Sequence, residues 1–123
     1  MKPKQPILWL DNPEEHNYPA ALSYLSLIHK KPEICVDALR KSPIQKFKAK
    51  DIFRASSLPI LSKNSHVEKN IEKIEKFTPL SPLLLVRNPI LGKVIIADGY
   101  HRLCAVYTFD EDALIPVKIV DIP

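Results

Sequence analysis

Residues 93–109, Lys-Val-Ile-Ile-Ala-Asp-Gly-Tyr-His-Arg-Leu-Cys-Ala-Val-Tyr-Thr-Phe, constrain the fold more than any other stretch. The β-branched run Val94-Ile95-Ile96 predicts a strand, Asp98-Gly99 a turn, and the spacing of Leu103, Ala105, Val106 and Phe109 a helix. Gly99 is one of only two glycines in 123 residues, against twelve prolines. A glycine placed here predicts either a positive φ or a close approach by a ligand. The first turn of the following helix offers unpaired N–H groups and the positive end of the helix dipole, with His101 and Arg102 beside them. Such a junction suits an anion, above all a phosphate. The plainer alternative is a turn in which Asp98 caps the helix and His101 and Arg102 are surface polar residues.

The remaining turns draw on Pro and Asn. Lys2, Pro3, Lys4 and Pro6 begin a proline-rich arm that ends in Ile7-Leu8-Trp9-Leu10, with Trp9 expected to dock it on the domain. From Asn12 to His29 the pattern is helical, with Asn12-Pro13 as cap and first position, or a helix restricted to about 19–28 by Pro19. Leu22, Leu25, Leu27 and Ile28 supply its apolar side, and His16 and His29 are read as surface residues. A second helix is expected over 32–41, with Cys35, Val36 and Leu39 facing inward. Residues 1–42 thus read as a helical extension, and 43–123 as the core of one compact domain. Strands are predicted at 44–48, 83–87, 93–98 and 115–120, a short helical turn at 50–55, and a hairpin through Asn88-Pro89-Ile90-Leu91-Gly92. Pro116 places the start of the last strand at a sheet edge.

Residues 64–76 carry the clearest helical period. Asn64 or Ser65 caps them, with Glu68 completing a capping box from Ser65. Val67, Ile71 and Ile74 fall within about 60° of one another and face the core, with His66, Lys69 and Lys73 on one flank and Glu68, Glu72 and Glu75 on the other. The basic flank is either a wall of the anion site or ordinary surface pairing along the helix. Lys41, Lys46, Lys48, Lys50 and Arg54 stand against the single Asp51 and form the most basic stretch, a solvated face or a contact for DNA. Asp110-Glu111-Asp112 is expected to be a solvated acidic tip.

The net charge of +4 suits an anionic ligand but is modest for a dedicated nucleic-acid binder. Cys35 and Cys104 lack metal-binding spacing and read as reduced core thiols, so no metal site is expected. No apolar run approaches membrane-spanning length and no signal segment follows Met1, which predicts a cytoplasmic protein with no membrane partner.

The run Ile-Ala-Asp-Gly-Tyr-His-Arg-Leu-Cys-Ala-Val-Tyr resembles the signature of the ParB/sulfiredoxin superfamily, in which a strand ends in a glycine turn and a His-Arg or Arg-Arg pair begins the next helix. Lys50-Asp51-Ile52-Phe53-Arg54 through Leu58-Pro59, the helix from about Asn64 to Lys76, and Leu83-Leu84-Leu85-Val86 follow the same order of elements. The likeness covers roughly residues 44–121 and is strongest to the small bacterial ParB/sulfiredoxin-like proteins of no settled function. Tyr100 stands where sulfiredoxins carry the catalytic cysteine, and a phenol cannot form the thiosulfinate. Cys104 lies one helical turn further on, so sulfiredoxin activity is not expected. The Gly-Glu-Arg-Arg form of partition proteins and their downstream helix-turn-helix are also absent.

The resemblance implies an α+β fold, a small mixed sheet of about four strands with packed helices. It also implies a nucleoside triphosphate ligand, ATP or CTP, with magnesium an open question. The expected phosphate and nucleotide contacts are Gly99, Tyr100, His101, Arg102, Arg54, His66, Lys69 and Lys73. Should the protein be an enzyme, phosphoryl transfer or nucleotide hydrolysis follows, with Asp98 the candidate base or magnesium ligand. The alternative is a non-catalytic module binding DNA, through Lys41, Lys46, Lys48, Lys50 and Arg54, or a protein partner, with a homodimer open.

Overall fold

In the structure, a computed structural model, residues 5–123 are described. Lys2, Pro3 and Lys4 of the expected arm lie outside that range. Four strands, β1 (Gln45–Lys48), β2 (Leu83–Asn88), β3 (Lys93–Asp98) and β4 (Leu114–Asp121), form one mixed sheet in the order β1-β4-β2-β3. β2 and β3 are an antiparallel hairpin, β1 lies antiparallel to β4, and β2 lies parallel to β4. With five helices among the described residues, the protein is a small α+β fold.

The sheet is covered on both faces because its central strands are apolar on both. In β2, Leu83 and Leu85 point into one core and Leu84 and Val86 into the other, as the two-residue period of a strand requires. On the first face pack α3 (Ala49–Ser56), α4 (Ser65–Glu75) and α5 (Tyr100–Phe109), through Ile52, Phe53, Val67, Ile74, Leu103 and Val106. On the second face pack α1 (Asn17–Leu25) and α2 (Pro32–Lys41), through Tyr18, Ala21, Leu25, Cys35, Val36 and Leu39. Both cysteines are free, buried thiols.

Several expectations shift. α1 begins at Asn17 rather than at Asn12-Pro13, and Pro19 sits within its first turn, where a missing N–H costs nothing. The buried Asn17 side chain accepts the Ser81 hydroxyl proton at 2.5 Å, so this polar residue is held in the core by a partner. Leu27 and Ile28 are exposed, because α1 stops at Leu25 and they fall in the turn beyond it. Asn64 rather than Ser65 caps α4, accepting from the N–H groups of His66 and Val67. Pro116 lies in β4, a strand with a neighbour on each side, yet the proline is tolerated for the expected reason. β2 joins β4 only from Val117 onward, so Leu114–Pro116 have β1 alone as neighbour. The arm docks as expected: Leu10 N–H donates to Leu80 O at 2.8 Å, Leu80 N–H to Leu8 O at 2.9 Å, and Trp9 is half-buried. Among the described residues no helix is long and apolar enough to cross a membrane.

Candidate functional site

β3 runs straight into α5 through Gly99, whose φ of 110° only glycine adopts without strain. A Cβ at this position would stand 2.7 Å from Leu83 Cγ and 2.9 Å from Arg102 Nη2. The glycine is therefore demanded from behind, by the β2 core residue and the arginine, as well as by the backbone. The first intrahelical bond runs from Leu103 N–H to Gly99 O at 2.9 Å. The N–H groups of Tyr100, His101 and Arg102 consequently have no partner within the helix.

Asp98 does not cap α5, since no side chain accepts from its first turn. Its carboxylate instead accepts from Arg102 Nη2 at 2.9 Å, a pair with side chains 19% and 16% exposed. The i,i+4 spacing across the turn brings the two together. Arg102 thus lies beneath the turn rather than over it. Its Nη2 also approaches Pro82 O at 3.5 Å, and its Nε is buried with no hydrogen-bond partner among the described residues. Asp98 is committed to holding that guanidinium, and the described residues bring no three His, Cys, Asp or Glu side chains together as a metal site.

His101 and His66 meet across α5 and α4, ring centres 4.9 Å apart and planes inclined by 38°. Burial holds the His101 imidazole below its ordinary pKa, and the neighbouring His66 adds to the effect. Tyr100 turns its hydroxyl to donate to Pro59 O, fastening the loop after α3 to the start of α5. Burial raises the Tyr100 phenol, with Cys104 a smaller contribution. Burial also pushes the Cys104 thiol up, only partly offset by hydrogen bonds from the Leu61 backbone and Tyr100. Cys104 is a buried thiol with little thiolate character, the opposite of a reactive cysteine.

Of the expected site residues, Gly99, Tyr100 and His101 line one open cleft of about 390 Å³ together with Asp98, and His66 reaches it through His101. Arg102 is not among its lining residues, being turned to Asp98 and Pro82. Arg54 is exposed and paired with Asp51 at 3.4 Å, and Lys69 and Lys73 are exposed on α4. Of the basic stretch, Lys50 pairs with Asp112 at 2.6 Å, while Lys41, Lys46 and Lys48 are exposed. The cleft also contains Ala20 and Tyr24 of α1 and Leu58 of the loop after α3, none of which sequence reasoning singled out. The available signal was the helical spacing that sets Ala20 and Tyr24, four residues apart, on one face of the segment. Comparison of the chain with family models, with curated proteins and with solved structures finds no match in any of the three.

Proposed function

We propose that the protein is a nucleotide-binding domain of ParB/sulfiredoxin type, holding the phosphates of a nucleoside triphosphate at the Gly99 turn. The observation that carries this reading is the convergence of the free N–H groups of the first turn of α5 with His101 at one cleft. Arg102, paired with Asp98, braces the turn and offsets the charge of that carboxylate, so the phosphate's partners are the helix N-terminus and His101. The His66 imidazole is placed to second His101 once a phosphate favours protonation. Asp98 acts here as the positioning partner of Arg102. A magnesium ion would be held chiefly by the phosphates of the ligand. Any turnover would be phosphoryl transfer or hydrolysis, driven by positioning and charge neutralisation.

The test is calorimetric titration with ATP, CTP, GTP and ADP, with and without magnesium, against the parent and His101→Ala. Arg102→Ala is the poorer probe, because it leaves Asp98 half-buried without its cation and so perturbs folding. Binding by the parent, weakened about tenfold or more in a folded His101→Ala protein, is the expected result. Absence of binding to all four would refute the reading. Salt-dependent affinity for duplex DNA in that case would transfer attention to the exposed Lys41, Lys46 and Lys48.

A further inference from the structure

We infer that Tyr24, on α1, is the platform for the planar base of the ligand, so that the site accepts nucleotides in preference to bare polyphosphates. This rests on the phosphate reading above and extends it to the apolar lining of the same cleft. The cleft lies at the C-terminal end of the edge strand β3 and is lined by both polar and apolar residues. Asp98, Gly99, Tyr100 and His101 give its lining a polar part, while Ala20, Tyr24, Leu58 and Ile96 give it an apolar one. Its volume of about 390 Å³ falls within the size range of small-molecule sites.

Tyr24 is 45% exposed on a helix whose opposite face is buried, and Leu58 is 41% exposed in the loop after α3. α1 turns Tyr18, Ala21 and Leu25 into the core and leaves the Ala20–Tyr24 side open to the cleft. Ala20 has no side chain beyond Cβ, which keeps the approach to the ring at Tyr24 clear. Leu58 enters from the loop that Tyr100 fastens through Pro59, so the two apolar walls flank the same phosphate turn. Every base has a π face, and an aromatic ring in a cleft with aliphatic lining gives stacking without reading base identity. Discrimination among ATP, CTP and GTP there is accordingly weak, and discrimination between a nucleotide and a polyphosphate is strong.

The experiment compares inorganic tripolyphosphate with ATP and CTP as ligands of the parent, Tyr24→Ala, Tyr24→Phe, Leu58→Ala and His101→Ala, with circular dichroism to confirm folding. The parent is expected to bind the nucleotides about tenfold or more tightly than tripolyphosphate. Tyr24→Ala should draw that ratio towards one without changing the tripolyphosphate affinity, Tyr24→Phe should preserve it, and Leu58→Ala should reduce it in part. His101→Ala should weaken all three ligands together. Equal binding of nucleotide and tripolyphosphate by the parent, or a ratio untouched by Tyr24→Ala, would overturn the inference and leave the phosphate site standing. Failure of every ligand to bind the parent would end both.

Discussion

At Gly99 two independent demands meet on one residue. The backbone sits at φ 110°, and the space a Cβ would fill is already taken by Leu83 and the Arg102 guanidinium. Gly99→Ala must therefore strain the turn and displace either a core leucine or half of the Asp98–Arg102 pair. The expected cost is about 2–4 kcal/mol. Gly92 in the β2–β3 hairpin is the internal control: its φ is 64°, but nothing lies within 4 Å of the place a methyl would take. Gly92→Ala bears only the left-handed backbone penalty of about 1–2 kcal/mol. Urea unfolding of both variants measures the difference, and equal losses would show that the contact behind Gly99 contributes nothing. The need for glycine was legible from the scarcity of glycines and the strand-to-helix change at Asp98-Gly99. The part played by Leu83 was not, because a clash between residues sixteen positions apart exists only once β2 has paired with β3.

Among the elements, those with a strong period were legible and those held by tertiary contacts were not. α2 and α4 follow their apolar stripes closely, with Val67 and Ile74 fully buried as their spacing requires. Ahead of α1, Glu14 N–H donates to Ser81 Oγ, and Ser81 in turn donates to the buried Asn17, a partner 64 residues away that no local rule reveals. The charged flank of α4 shows the same division. His66 was visible as part of a basic side, but its contact with His101 depends on how α4 and α5 pack. That contact has a measurable consequence. In the folded protein His101 titrates below its ordinary value of 6.5, through burial and the facing His66, so it binds a proton less readily than in the unfolded chain. The unfolded state then takes up more protons as pH falls below about 6.5, and folded stability declines through that window. Urea midpoints at pH 8 and pH 5.5 should separate more in the parent than in His101→Gln. On the proposed nucleotide-binding function, a phosphate at His101 favours the imidazolium, and nucleotide affinity should rise over the same descent in pH.

Taken as a whole, the molecule is a sheet with a core on each face, and this determines what any part of it can do alone. The 43–123 segment contains all four strands of the described residues and all of α3, α4 and α5. It nevertheless leaves Leu84, Val86 and Ala97 facing outward, since their partners Tyr18, Leu25, Val36 and Leu39 all come from α1 and α2. Each large side chain so buried is worth about 1.5–3 kcal/mol. Four of them together are comparable with the whole stability of a small domain, about 5–15 kcal/mol. The second layer is also pinned by Lys118, only 7% exposed, whose Nζ donates to Arg40 O at 2.8 Å at the C-terminal end of α2. An ammonium there meets the negative end of the helix dipole as well as a free carbonyl. Without α2 that acceptor is lost and the face that Lys118 shares with Leu84 is open to water. A 43–123 fragment is accordingly expected to be aggregated or loosely packed, binding a hydrophobic dye and lacking dispersed methyl resonances, even though it carries the whole Gly99 turn. Mixing it with a separately produced 1–42 peptide should restore ordered packing in part. A fragment that folds cooperatively by itself would mean that the exposed β2–β3 face is stable in water, and α1, with Tyr24, would then be an optional addition to the cleft rather than one of its walls.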